Sequence, residues 1–328
     1  MKKIAVVFAM LVVALLFAGC DRPARAEGDR LRVVATIFPQ FDFVRQIAGD
    51  RVELVMLLSP GAESHGFEPT PRDIITINNA DLLVYVGGHG DEWVAPILAS
   101  LDREGMHTVA LLDLISAVEV SHVHYHGHDC HHDDCDHDHG HHHGHAHHHH
   151  HEHHYDEHVW TCPRNAVLIV RALADVLADL DPDNAEFFRT NAADFVAELE
   201  ELDRTFAYIV ANAARRTVVF GDRFPFRYLT DTYGLTYHAA FIGCSAETQA
   251  SPATIAFLIR TVQEESIPVV FHIEFSNRFI ANTIAEATGA QLMELHSLHN
   301  VSHADFNAGV TYLDLMRRNA ETLREALN

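Results

Sequence analysis

From Leu31 onward, short apolar runs alternate with stretches whose apolar residues recur every three or four positions. Leu31–Phe38 reads as a buried strand, and Pro39 opens a helix carrying Phe41, Val44 and Ile47 as far as the stop signal Gly49-Asp50. A second strand follows at Val52–Leu57. After the loop Ser59–Pro71, a short helix from Arg72 leads to a strand at Leu82–Val86, a helix near Glu92–Leu101 and a strand at Thr108–Leu112. The alternation resumes past residue 216. Strands are expected at Thr217–Phe220, Leu235–Ala239, Val269–Ile273 and Gln291–Leu295, separated by helices near Pro225–Thr232, Pro252–Glu265 and Arg278–Ala287. A closing helix runs from Ala304 to Leu327. Strands alternating with helices imply parallel sheets, since a parallel neighbour is reached only through a crossover.

Between these halves lie two helical stretches, about Pro163–Leu180 and Pro182–Arg215. The second keeps Phe188, Phe195, Leu199, Leu202, Phe206 and Ile209 on one stripe. At 1.5 Å per residue it would span about 45 Å, a strut that opposes large hinge closure. The fold class expected is α/β: two lobes, each with a mainly parallel four-stranded sheet flanked by helices, joined by a long rigid backbone helix. The division expected is a leader at 1–19, a tether at 20–30, an N-terminal lobe at 31–181, a linking helix at 182–215 and a C-terminal lobe at 216–328.

The first residues change the picture by giving a location. Met1-Lys2-Lys3 is a short positive region, and Ile4–Ala18 is an apolar run of 15 residues, too short for a bilayer that needs about 20. It reads as a signal peptide. Its end, Phe17-Ala18-Gly19-Cys20, resembles a bacterial lipobox, with Cys20 the lipidated residue and Asp21-Arg22-Pro23 a polar tether. The alternative is an ordinary cleavage site with an incidental cysteine. A lipid on Cys20 would anchor the mature chain at the extracytoplasmic face of the cell membrane without crossing it.

Charge excludes one class of partner. The chain carries 23 Lys+Arg against 46 Asp+Glu, a formal charge of −23, and has no run of basic residues longer than a pair such as Lys2-Lys3, so nucleic acid is not expected. Of its 28 histidines, 20 fall between His122 and His158. Ser121–Glu157 has almost no aliphatic residues, and its 8 acidic residues have no Lys or Arg to balance them. Such a segment cannot bury enough apolar surface to offset ordering entropy and is expected to be disordered without metal. Its imidazoles are lone-pair donors for zinc, copper or nickel. They are His122, His124, His126, His128, His131, His132, His137, His139, His141, His142, His143, His145, His147, His148, His149, His150, His151, His153 and His154. A tag would sit at a terminus and would not interleave Asp, Glu, Gly and Cys. Cys130 and Cys135, inside the tract, are soft-metal ligands or a disulfide pair. Cys162 and Cys244 form a bridge, which an exported location permits, or remain two buried thiols.

A loop of this kind collects metal, whereas selective retention of one ion needs a fixed site. In an open parallel sheet, ligands bind beyond the carboxyl ends of the strands. His65 sits in the loop after Val52–Leu57, and His158 directly precedes a helix start. The setting of the first is Ser64-His65-Gly66-Phe67-Glu68-Pro69-Thr70-Pro71 and of the second Glu157-His158-Val159-Trp160. These resemble the two histidine signatures of the cluster A-I solute-binding lipoproteins of zinc and manganese ABC transporters. The likeness covers most of the mature chain: lipobox, first strand with Pro39, histidine-rich insertion, long linking helix and second lobe.

The resemblance implies two four-stranded α/β lobes and one metal in the cleft between them, with two ligands from each lobe. It carries His65 and His158 over position for position. In the second lobe, zinc members place a histidine and manganese members a glutamate after the first strand, where this chain has Gly221-Asp222-Arg223-Phe224-Pro225. Asp222 is the oxygen candidate, although the stretch to Tyr233-Gly234 is longer than the family pattern. The fourth position lies in Leu295-His296-Ser297-Leu298-His299-Asn300, with His299 preferred and His296 its rival. Three imidazoles with a carboxylate, or four nitrogens, suit tetrahedral Zn²⁺, so Zn²⁺ is the cargo expected and Mn²⁺ the alternative. Glu274, at a strand's carboxyl end, is a further residue able to face the cleft. His238 and His272 are expected in a core or on a solvent face, His303 at a helix start, and His89 and His107 on surface loops.

The function implied is extracytoplasmic zinc capture and delivery to an ABC permease, with a separate cytoplasmic ATPase, since no P-loop is present. A monomer without enzymatic activity is expected. A hydrolase would need an open metal position and a His-Glu-x-x-His motif, which His150-His151-Glu152-His153-His154 only imitates. A zinc sponge or chaperone, or an adhesion lipoprotein, is the remaining alternative.

Overall fold

The computed structural model describes residues 30–64, 66–101, 105–118, 155–242 and 250–328. Cys20 and its leader, His65, the histidine tract with Cys130 and Cys135, and Cys244 lie outside the described residues. Among the described residues, no helix is long and apolar enough to cross a membrane.

The first lobe contains β1 (Leu31–Ala35), α1 (Phe38–Ala48), β2 (Val52–Met56), α2 (Pro71–Asn78), β3 (Leu82–Tyr85), α3 (Val94–Ser100) and β4 (His107–Ala110). Its strands pair in the order β2-β1-β3-β4, all parallel, with Val34 beside Val55 and Leu83. Central β1 and β3 are buried on both faces apart from Arg32 near the start of β1, which explains their apolar runs Val33–Ala35 and Leu82–Val84. The second lobe repeats the plan with β5 (Thr217–Phe224), α6 (Arg227–Tyr233), β6 (Thr236–Ile242), α7 (Pro252–Glu264), β7 (Val269–His272), α8 (Phe279–Thr288) and β8 (Gln291–Glu294). Its parallel order is β6-β5-β7-β8. Between the lobes run α4 (Pro163–Leu180) and α5 (Ala185–Ala211), and the chain closes with α9 (His303–Asn307) and α10 (Tyr312–Leu327). The α/β class and the paired four-stranded sheets match the sequence expectation.

Three elements differ from the expected bounds. The linking helix begins with a 3₁₀ turn at Pro182–Asn184 and ends at Ala211, so its 27 residues span about 40 Å. The closing helix is two helices. Gly309, at φ 73°, breaks it, and Thr311 starts α10 with a capping box to Asp314. Strand β5 continues to Phe224, past the expected end at Phe220, with a register shift between Phe220 and Arg223. Asp222 therefore lies in an irregular stretch of strand.

The core explains how the lobes are held. All six residues of the expected α5 stripe are buried, and α5 packs along α1, α4 and α10. The largest apolar cluster is continuous from Val33 and Val84 of the first sheet, through Leu173, Phe195 and Phe206, to Phe220 and Phe271 of the second. Smaller clusters lie on the outer faces, around Val34 and Leu83 in one lobe and Val219 and Val270 in the other. Leu31–Asn328 is accordingly one compact unit.

Candidate metal centre

His158 is positioned by a tight turn before α4. Pro163 at the first position of α4 fixes where the helix starts, and Val159–Thr161 forms a 3₁₀ turn ahead of it. Asp156 closes the turn: its Oδ1 accepts the His158 backbone N–H at 2.9 Å and the ring Nδ1–H at 2.8 Å. That bond places the ring proton on Nδ1 and the lone pair on Nε2, the arrangement a metal requires.

Glu157 points the other way, into the loop after β3. The Gly90 N–H donates to both its oxygens, at 2.9 and 3.1 Å. A Cβ on Gly88 or Gly90 would lie 2.8 Å from a Glu157 oxygen, so the glycines permit this approach. Burial raises the Glu157 carboxyl above its ordinary range, against the pull of the Gly90 and His89 N–H groups. Burial also pushes Asp91 up to about 6, opposed by N–H bonds from Val86 and Gly87 and reinforced by Glu157.

The second lobe supplies Leu295–Asn300, the segment after β8. Leu298 adopts φ 66°, so the backbone turns sharply between His296 and His299. The His296 backbone is tied to α10: its N–H donates to Asn319 Oδ1, and Asn319 Nδ2 donates to its carbonyl. Its ring Nδ1 accepts the Leu298 N–H at 3.0 Å, so the 3.7 Å approach to Glu274 Oε1 is not an N–H donation from that atom. His299 faces the other lobe. Its Nδ1–H donates to Ser297 Oγ at 2.6 Å, which again directs the lone pair to Nε2.

The two rings meet. His158 and His299 are buried, their centroids are 4.9 Å apart, and their planes cross at 86°. Two imidazoles bound through nitrogen to one tetrahedral ion, with Zn–N near 2.0–2.1 Å, would have centroids roughly 5 Å apart. Trp160 lies edge-on to both rings, at 5.5 and 5.0 Å. Its indole N–H donates to the Ser297 carbonyl at 2.9 Å. Further bonds join the lobes around the pair. Asn300 Nδ2 donates to the carbonyls of Ser59 and Ala62 at 2.7 and 2.8 Å, the Gly61 N–H donates to the Val301 carbonyl, and Arg223 pairs with Glu63 at 3.0 Å.

Beside the pair opens a cleft of about 700 Å³, lined by Ser64, Asp222, Glu274, Ser297 and His299 among others. Asp222 is buried at its edge, with Oδ1 accepting the Arg223 N–H at 2.8 Å and Oδ2 the Ile273 N–H at 3.3 Å. Glu274 also lines the cleft, but both its oxygens are directed at Ser297. Of the residues expected at the site, the structure brings His158 and His299 together, places Asp222 on the cleft wall and leaves His296 off that wall, with its ring 3.7 Å from Glu274. His65 lies outside the described residues, although Ser64 is on the cleft wall. Among the described residues alone, no group of three His, Cys, Asp or Glu forms a metal cage.

Other expectations resolve simply. His272 is buried, with its Nδ1 on the Ile273 carbonyl at 2.9 Å. His238 packs against Phe257, and partial burial lowers its pKa. Cys162 is a buried free thiol, 3.3 Å from Thr232 Oγ1. The roles of Asp156, Trp160, Ser297 and Asn300 were missed in sequence. All four lie in or beside a histidine motif, Asp156 and Trp160 around His158 and Ser297 and Asn300 around His299, but the contacts they make have no local signal.

A family model described as "Zinc-uptake complex component A periplasmic" matches residues 33–326. The zinc-binding lipoprotein AdcA of Streptococcus pneumoniae strain R6 is 30% identical over 329 residues, covering 99% of this chain. The chain spans only 61% of that relative's length. The high-affinity zinc uptake system protein ZnuA of Bacillus subtilis is 30% identical over 336 residues, covering 99% of this chain and 98% of that one. The Zn(II)-bound ZnuA-like domain of Streptococcus pneumoniae AdcA superposes with a TM-score of 0.71 at 26% identity, over 91% of this chain and 99% of that domain. The family match takes in both sheets and the turns that bear His158 and His299, and this chain belongs to the zinc-uptake complex component A family, within the cluster A-I solute-binding proteins.

Proposed function

We propose that the chain is the extracytoplasmic zinc-capturing component of an ABC uptake system. One Zn²⁺ is held between the lobes as cargo by His65 and His158 from the first lobe and by His299 and Asp222 from the second. The observation that carries this reading is the His158–His299 pair, drawn from opposite lobes to 4.9 Å with each Nδ1 bonded behind it. Three imidazoles with one carboxylate make a nitrogen-rich donor set, which favours Zn²⁺ over Mn²⁺. The histidine tract gathers loosely held metal, a lipid on Cys20 anchors the chain at the membrane, and a permease with its separate ATPase takes the cargo inward. The chain performs no catalysis.

The test is a competition titration of the full chain against a chromogenic zinc chelator. Wild type is expected to hold one equivalent tightly and further equivalents loosely. His299→Ala should lose the tight equivalent and keep the loose ones, and deletion of residues 121–154 should do the reverse. A His299→Ala protein that retained the tight equivalent would refute the site.

A further inference from the structure

The bond behind His299 differs in kind from the one behind His158. His158 leans directly on a carboxylate, Asp156. His299 reaches a carboxylate only through a hydroxyl: its Nδ1–H donates to Ser297 Oγ at 2.6 Å, and Ser297 Oγ–H donates to Glu274 Oε1 at 2.5 Å. The Ser297 backbone N–H donates to Glu274 Oε2 at 2.6 Å, which locks serine and carboxylate together at two points. Ser297 is fully buried, and Glu274 and His299 nearly so, so solvent does not substitute for a lost link. A hydroxyl has one proton and two lone pairs. With its proton committed to Glu274, Ser297 presents only acceptor density to the imidazole, and each bond in such a chain polarises the next. The Ser297 carbonyl meanwhile accepts the Trp160 indole N–H, so the same residue also holds the ring that lies edge-on to both histidines.

We propose that Ser297 is a positioning residue of the metal centre, its hydroxyl relaying the hydrogen bond of His299 to Glu274 and thereby fixing both the tautomer and the angle of the ring that faces the cation. The proposal rests on the zinc-capture reading and adds a residue that does not touch the metal. Groups that orient a ligating histidine typically contribute 10–100-fold to metal affinity.

Ser297→Ala removes the hydroxyl and keeps the backbone bonds to Trp160 and Glu274. In the competition titration of the full chain it should bind zinc about 10–100-fold more weakly than wild type. Ser297→Thr, which retains the hydroxyl, should recover most of that loss. With Co²⁺ as a spectroscopic probe of the same site, the visible bands should move in Ser297→Ala and return in Ser297→Thr. Wild-type affinity and an unchanged Co²⁺ spectrum in Ser297→Ala would overturn the proposal. Equal losses in the alanine and threonine variants would also overturn it, by showing that shape rather than the hydroxyl matters. Should Ser297→Ala fail to fold, Glu274→Gln carries the test, with the same spectral change expected and an unchanged spectrum refuting. His299→Ala in parallel separates the two claims. If it too binds as wild type, zinc capture at this site fails; if it alone is impaired, only the relay does.

Discussion

The two halves of the cleft reach the same end by different electrostatic means. On the His158 side, acids crowd together: Asp156 holds the ring, Glu157 is clasped by the glycine loop, and Asp91 lies close enough for Glu157 to raise its pKa. On the His299 side the carboxylate behind the ring, Glu274, acts through a serine. Direct carboxylate support gives the stronger charge-assisted bond, but neighbouring negative charges must then be buried together. A hydroxyl between carboxylate and imidazole keeps direction at lower charge density. Symmetry of fold therefore does not extend to symmetry of the site.

The largest effect expected breaks the pair outright. His158→Ala and His299→Ala should each weaken the tight zinc equivalent by more than about 100-fold, beyond what supporting residues supply, as read by chelator competition. Equal losses would mean that the two sides bear the ion equally. Next comes Asp156→Asn, which removes the charge behind His158 while keeping an oxygen acceptor. It should cost about 10–100-fold in affinity, at least as much as Ser297→Ala. A smaller loss than in Ser297→Ala would reverse the ranking of direct and relayed support.

A third measurement concerns the crowding of acids. Burial raises Asp91 from an ordinary 3.8 to about 6. Between those values the folded protein keeps a proton that the unfolded chain has released, so this residue's contribution makes stability fall as pH rises through the window. Asp91→Asn should thus be neutral near pH 4 and stabilising above pH 6. The gain should be about 1 kcal/mol, since the amide accepts the Val86 and Gly87 N–H bonds less strongly than a carboxylate does. Urea unfolding at the two pH values checks this, and stabilisation confined to the acid side would contradict it. The smallest effect belongs to the Glu63–Arg223 pair across the cleft mouth, whose glutamate is more than half exposed. Glu63→Gln should change stability by less than about 1 kcal/mol, with little further change in high salt.

Much of this architecture was legible in the sequence because it rests on local pattern. The apolar runs became β1 to β8, the α5 stripe became the buried face of the strut, and His158 announced itself through Trp160 and the following Pro163. The break at Gly309 is marked in the sequence too: Ser302 with Asp305 and Thr311 with Asp314 are start signals for two helices, where a single helix Ala304–Leu327 was expected. What was not legible depends on contacts between distant positions. Nothing around Ser297 points to Glu274, 23 residues away, and the positive φ of Leu298 between His296 and His299 has no glycine to announce it. Asp222 was expected just past a strand, and the register shift that keeps it within β5 comes from pairing with β6, which no local window contains.

The continuous apolar cluster beneath both sheets bears on how cargo leaves. Swinging the halves apart like a clam shell would draw Phe195, Phe206 and Phe220 toward water, at about 1.5–3 kcal/mol for each side chain. Easing the short segments at the rim disturbs only a few hydrogen bonds, such as those from Asn300 to Ser59 and Ala62. Under the uptake reading proposed above, unloading is therefore a matter of slackening a latch at the edge while the hinge line stays shut.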